Sequence, residues 1–278
     1  MTEANLSLNS RSKKPLLLTI SIVTFNPDFI ELRNTLYSLE TALTKIDKNA
    51  TSITIIDNSD NDLVPQFLEA NCRNMPIRLV RGQGNIGFGR AHNLALNAMA
   101  KFHLILNPDI ELHADALITA VDFMTSNPQC GLLTPHARWP NGERQYLCKR
   151  YPAAFDLLLR GFAPKMIRSF FEKRLSYYEM QQETQDNIYW NPPIVSGCFM
   201  FFRSAILEKT KGFNDSFFLY FEDFDLSLRT HKFASIAYVP TVKVIHSGGK
   251  AGKKGRWHIK VFISSAIKFY RTHKFKIF

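Results

Sequence analysis

A chain of 278 residues, 45% hydrophobic and 21% charged, can hold one large domain or two small ones, and its composition is globular rather than disordered or fibrous. No window approaches about 18 uninterrupted apolar residues, which argues against a membrane-spanning helix. The net charge of +11 is local: the 53 residues after Asp225 hold no acid and 12 of the 35 Lys and Arg, so residues 1–225 carry 23 basic against 24 acidic groups. A basic end attracts polyanions, either nucleic acid or an anionic membrane surface. Cys72, Cys130, Cys148 and Cys198 are scattered with no C-x-x-C pair, so neither a zinc site nor a disulfide framework is expected, and the thiols read as reduced and cytoplasmic.

Residues 1–14 read as a polar tail, and the apolar run that follows is too short, and lacks the cleavage site, for a signal peptide. "LLLTISIVTFN" (16–26) predicts a buried strand stopped by Asn26-Pro27. Leu32, Leu36, Leu39 and Leu43 then recur at helical spacing. "TSITIIDNSD" (51–60), "IRLVRG" (77–82) and "FHLILNPD" (102–109) predict three more strands, with "RAHNLALNAMA" as a helix before the last. Strands alternating with helices argue for a mainly parallel α/β sheet, in which ligands lie beyond the strands' carboxyl ends. Those ends carry Asn26, Asp57-Asn58, a glycine loop and Asn107 to Asp109. Residues 139–192, basic and aromatic with helical spacing, predict an acceptor-facing insertion. "IVSGCFMFFR" (194–203) and "IAYVPTVKVIH" (236–246) return to strand character. In the last segment, 256–278, Ile259, Phe262, Ile263, Ala266, Phe269 and Tyr270 share one helix face, with Lys260, Lys268 and Arg271 opposite. That face can pack on the core, as most do, or meet a membrane; the wholly basic polar side favours the membrane.

Gly84, Gly87 and Gly89 fit neither the dinucleotide nor the P-loop spacing, though their place among the strand ends suits a phosphate-bearing ligand. Asp109 past a strand suits a hard divalent cation shared with substrate phosphates, but Asn-Pro-Asp alone favours a plain turn. His246 at a strand end can complete a Mg²⁺ or Mn²⁺ site, although a lone histidine is more often structural. "FFLYFEDFDLSLR" (217–229) sets Glu222, Asp223 and Asp225 among aromatics. Asp225 can pair with Arg229 at i, i+4, while a partly dried Asp223 becomes a better base. A helix N-terminus, which favours acids, explains two of the three but not the aromatics.

Together, "SIVTFN", "IIDNSD", "GNIGFGRAHN", "LNPD", "SGCFMFFR", "KGFNDSFFLYFEDFDLSLR" and "VIHSGG", in this order from residue 18 to about 250, resemble the inverting glycosyltransferases of family 2. The Asn-Pro-Asp variant, "GFNDSFFLYFEDFDLSLR" and the basic end are most similar to the rhamnosyltransferase branch of bacterial O-antigen and polysaccharide assembly. The resemblance implies a GT-A (Rossmann-like) α/β fold over 15–255, its mixed, mainly parallel sheet flanked by helices, followed by a basic amphipathic helix over 256–278. It implies that Thr24, Asn26 and Asp57 hold the nucleoside, and that Asn85, Gly87, Arg90 and Asn93 follow the ribose and diphosphate, with Asn107 beside them. Asp109 and His246 would ligate Mg²⁺ or Mn²⁺. Asp223 would be the base, with Glu222 the second candidate, and Trp190, Gly197 and Cys198 would border the sugar and acceptor. Many relatives have two acids where this chain has Asn107 and Asp109, which leaves weak metal affinity or a metal delivered with the donor.

The implied reaction moves L-rhamnose from dTDP-L-rhamnose to a hydroxyl of a polyprenyl-diphosphate-linked saccharide, at the inner face of a bacterial cell membrane, with the C-terminal helix on anionic lipid. The alternatives are a UDP-hexose donor or a sugar nucleotidyltransferase. The second lacks its expected glycine-rich loop after the first strand, where "TFNPDFIELRN" stands. Nucleic acid is not expected as a partner, because acids at strand ends repel phosphate unless a metal intervenes.

Overall fold

The computed structural model describes residues 16–73, 75–96, 100–248 and 255–277. The polar tail expected over 1–14 lies outside these residues. The four apolar runs form β1 (Leu18–Thr24), β2 (Thr51–Asp57), β3 (Ile77–Val80) and β4 (Phe102–Leu106), all parallel, in the order β3–β2–β1–β4. Every residue of β1 is buried, as a strand with covered faces and two neighbours requires. The crossovers are α1 (Phe29–Leu43), α2 (Leu63–Asn71) and α3 (Phe88–Asn93). Asp28 caps α1 by accepting from the Ile30 N–H at 3.0 Å, and α1 buries the predicted Leu32, Leu36, Leu39 and Leu43. Helix α3 is shorter than predicted.

The chain continues through β5 (Ile110–Leu112), α4 (Ala116–Ser126) and β6 (Cys130–Arg138). The predicted helical insertion is only partly helical: it holds β7 (Arg144–Gln145), β8 (Cys148–Lys149), α5 (Ala154–Phe162), α6 (Lys165–Phe170), α7 (Glu172–Tyr178) and β9 (Tyr189–Trp190). A turn at Trp139–Gly142 folds β7 back onto β6, and β9 pairs with the later strand β12. Then follow β10 (Ile194–Val195), β11 (Phe199–Arg203), α8 (Ser204–Lys209), α9 (Glu222–Thr230), β12 (Ser235–His246) and α10 (Arg256–Thr272). The sheet extends from β4 through antiparallel β11 to β6, β12 and β5. Because β11 starts where β4 ends, Cys198 joins the same sheet edge, its carbonyl accepting from the Asn107 N–H at 2.9 Å.

The sheet's α3 face is polar inside. Ser21 Oγ lies 2.7 Å from His92 Nδ1 and 3.0 Å from His103 Nε2, while His103 Nδ1 meets Thr19 Oγ1 at 2.8 Å. Burial pulls both imidazoles down, His103 to about 4. A histidine depressed in the folded state stabilises above its unfolded pKa of about 6.5, and that stability is lost as pH falls towards 4. The melting temperature is therefore expected to drop across this window, with His103 alone accounting for roughly 3 kcal/mol at its lower end. Thermal melts of the wild type against His103→Gln isolate this contribution from carboxylates that titrate in the same range; an identical pH dependence in both proteins would contradict it.

Candidate functional site

Register places Thr24 beside Asp57 at the carboxyl edge of β1 and β2. Thr24 Oγ1 and the Ser59 N–H donate to Asp57 Oδ1 at 3.1 and 3.0 Å. Asp57 is fully buried, and its Oδ2 has no hydrogen-bond partner among the described residues. An oriented, desolvated carboxylate oxygen is incomplete without a donor. Asn26 turns the chain in the left-handed region (φ 45°) and donates its N–H to Ser59 Oγ at 2.8 Å. Sequence reasoning passed over Gln83, whose amide donates to the Asp57 carbonyl (2.9 Å) and to Asn58 Oδ1 (3.0 Å), with its own buried Oε1 left open. A polar residue between Gly82 and Gly84, beside a strand end, was its available signal.

The glycine loop is fastened to the segment that leads into α9. Gly87 sits at φ +91°, and a Cβ there would lie 2.1 Å from the Phe218 carbonyl oxygen, which accepts the Phe88 N–H at 3.0 Å. Asn85 Oδ1 accepts the Gly87 N–H at 3.2 Å. Asn93 and Arg90 do different work from that expected. Asn93 donates to the Phe213 carbonyl and Asp215 Oδ1, both at 2.9 Å, and accepts the Phe213 N–H at 2.9 Å. Its amide is thus engaged on the 213–215 loop. Arg90 Nε bonds the Asp215 carbonyl at 2.5 Å, holding the guanidinium on the same loop. Trp190 likewise packs on Phe123 of α4, ring centroids 5.8 Å apart, against the main core.

Beyond β4, pairing of β12 with β5 brings His246 opposite Ile110, so His246 Nε2 stands 3.4 Å from Asp109 Oδ1. His246 Nδ1 meets Gln145 Oε1 at 2.7 Å, and Trp139 stacks along the imidazole. Burial lowers the His246 pKa, but Cys198 and Asp109 outweigh it and raise it to about 10. A metal must therefore displace a proton here. Among the described residues no three His, Cys, Asp or Glu side chains gather as a metal site. The two that converge, with the buried and open Oδ1 of Asn107 nearby in the chain, fit an ion that takes its remaining ligands from substrate phosphates and water.

The first turn of α9 reaches the same sheet edge through Gly197, the residue before Cys198. Tyr220 and Phe221 enter it at φ 70° and 66°, a left-handed pair of bulky residues whose strain the surrounding packing must hold. Asp223 is half-buried; its Oδ2 accepts the Gly197 N–H at 2.8 Å and its Oδ1 the Phe224 N–H at 3.0 Å. A Cβ on Gly197 would come 3.1 Å from Asp223 Cβ, a tight contact that a larger residue would have to relieve by shifting this carboxylate. Glu222 is buried, with Oε2 open; burial, then Asp223, push its carboxyl up to about 8. Burial also raises Asp223, but the Gly197 and Phe224 N–H groups oppose it. Of the two carboxyls, Glu222 is pushed further towards its protonated form, because the Gly197 and Phe224 N–H groups favour the carboxylate of Asp223. Asp225, as expected, pairs with Arg229 Nε at 2.7 Å, and its other oxygen lies 2.9 Å from His273 Nε2 beyond α10.

Residues 19–211 match the family described as Glycosyl transferase family 2. The N-acetylglucosaminyl-diphospho-decaprenol L-rhamnosyltransferase of Mycobacterium tuberculosis is 25% identical over 257 residues, 86% of this chain and 78% of that protein. Rhamnosyltransferase WbbL of Escherichia coli K12 is 25% identical over 223 residues, 75% of this chain and 79% of its own. The fold is shared with GalNAc-T7, crystallised with UDP, GalNAc and Mn²⁺ (TM-score 0.62, 15% identity, 94% of this chain and 55% of that one). It is shared too with S. aureus TarS 1-349 in complex with UDP (TM-score 0.56, 16% identity, 83% and 60%), so the chain spans little more than half of these solved structures. With the family matched over most of its length, on a sheet whose carboxyl edge gathers these polar groups, the chain belongs to glycosyl transferase family 2.

Proposed function

We propose that this glycosyltransferase moves L-rhamnose from dTDP-L-rhamnose, with inversion, to a hydroxyl of a polyprenyl-diphosphate-linked saccharide for the bacterial cell surface. The observation that carries the reaction type is Asp223, a half-dried carboxylate aimed by two backbone N–H groups and facing the sheet edge. The sugar and the lipid-linked acceptor are supported by the rhamnosyltransferase relatives. A place at the inner membrane face is supported by the exposed apolar residues of α10; no helix among the described residues is long and apolar enough to cross a membrane.

In this mechanism Asp57 Oδ2 accepts the pyrimidine N3–H, the donor it lacks in the protein. Asn26 and Thr24 shape that pocket, and the Asn85–Gly87 turn lets backbone approach the diphosphate. A divalent ion on Asp109 and His246 would neutralise charge on the departing nucleoside diphosphate. Asp223 takes the proton of the acceptor hydroxyl as that oxygen forms its bond to the anomeric carbon, opposite the breaking bond to the diphosphate. Protonated Glu222 adds no second negative charge beside it.

A UDP-hexose donor is the second reading, favoured by the UDP in the neighbouring structures. Uracil and thymine present the same N3–H, so Asp57 does not separate them. A panel of nucleotide sugars with Mg²⁺ or Mn²⁺, scored by melting temperature, does. The largest rise is expected with dTDP-L-rhamnose; a larger rise with a UDP-hexose would transfer the assignment to that donor.

A further inference from the structure

Exposed apolar side chains line facing parts of two helices, α5 and α10. Helix α10 turns Phe262 and Phe269 inward but leaves Ile263 50% and Ile267 49% exposed, and α5 leaves Leu158 58% exposed. Between them runs an open groove of about 670 Å³, lined by Leu157, Leu158, Phe262, Ile263 and Ala266, with Arg271 on its wall. Phe262 is also the link to catalysis: its ring lies 5.2 Å from Phe221 and 5.6 Å from Tyr220, the residues directly before Glu222 and Asp223. One aromatic ring thus separates the groove from the catalytic turn.

The same region carries unbalanced positive charge. One turn along α5 from Leu157, Arg160 pairs with Glu179 at 3.2 Å, and Glu179 also takes the buried Lys149 at 3.3 Å. Two cations share one carboxylate, and the charge of Arg160 reaches Asp223. Burial and Arg160 pull Lys149 down to about 7, so a second anion beside these groups would be welcome. An apolar groove one aromatic ring from Tyr220 and Phe221, with Arg271 on its wall and Arg160 one turn from its Leu157, matches an amphiphile with an anionic head and a long hydrocarbon chain. A bilayer surface would meet exposed apolar residues inside and outside the groove alike, Phe170, 81% exposed, among the latter.

Resting on the reading of a lipid-linked acceptor, we propose that the groove between α5 and α10 seats the acceptor's isoprenoid chain, with its diphosphate at the half-exposed Arg160 and its saccharide at Asp223. The test uses the whole enzyme in detergent, without vesicles, with dTDP-L-rhamnose and two acceptors, N-acetylglucosaminyl-diphospho-undecaprenol and its octyl analogue. The wild type is expected to favour the long chain at least ten-fold in kcat/KM. Ile263→Glu, at a half-exposed position that tolerates charge, should bring that ratio near one, whereas Phe170→Glu should leave it. Equal use of both acceptors by the wild type, or an equal loss in the two variants, would overturn the groove. Farnesyl diphosphate supplies a readout independent of transfer: it should raise the melting temperature of the wild type more than inorganic diphosphate does, and lose that advantage in Ile263→Glu. If this protection holds while neither acceptor is glycosylated, the groove stands and the acceptor reading fails; a shift unchanged in Ile263→Glu overturns the groove.

Discussion

Asp223→Asn is expected to lower transfer by roughly 10²–10⁴-fold, the range removed with a general base, while leaving nucleotide-sugar binding close to that of the wild type. The separation follows from the geometry. Asp223 is held by the Gly197 and Phe224 N–H groups, and an asparagine keeps its shape and an acceptor oxygen, so the change is expected to disturb proton removal more than donor binding. Glu222 does not substitute, because it is buried and keeps its proton up to about 8. In the wild type the base works ionised, so activity is present above the pKa of Asp223 and lost as pH falls through it. The residual rate of Asp223→Asn should not show that acid limb. Retained turnover in the variant would remove Asp223 as the base.

Asp109→Asn is expected to cost roughly 10²–10³-fold in turnover, in line with several kcal/mol of charge stabilisation at a leaving diphosphate. Because this carboxylate and His246 are the two protein groups that converge there, removing one leaves a single ligand. The loss should therefore appear also as a fall in the metal-dependent part of the thermal shift given by the nucleotide sugar. A chelator should suppress the wild-type rate, and added Mn²⁺ should restore it. Full activity in excess EDTA would sink the assignment of Asp109 and His246 to a metal.

The strands and α1 were legible because β-branched apolar runs and leucines at helical spacing state their own period. Asp57 was legible for a related reason: in a parallel sheet, a polar residue ending an apolar run is already at the ligand edge. Pairing across distant segments was less so. Asp109 and His246 meet only through the β12–β5 register, which no local pattern encodes. The bonds of Asn93 to the 213–215 segment and the contact of Trp190 with Phe123 were not legible, because no local pattern encodes either partner. The face of α10 was read as one apolar stripe, yet it splits: Phe262 and Phe269 close over the catalytic turn, while Ile263 and Ile267 stay open. The projection shows which residues share a face, not which of them have a partner. Nothing in the spacing of Lys149, Arg160 and Glu179 announced that β8, α5 and the end of α7 would gather them.

The central claim is a single displacement in which Asp223 deprotonates the acceptor. It is tested most directly by transferring L-rhamnose from dTDP-L-rhamnose of known anomeric configuration and assigning the new glycosidic bond by NMR. The account predicts a product of opposite configuration to the donor, formed by the wild type and nearly absent with Asp223→Asn. A product that retains the donor's configuration would contradict it.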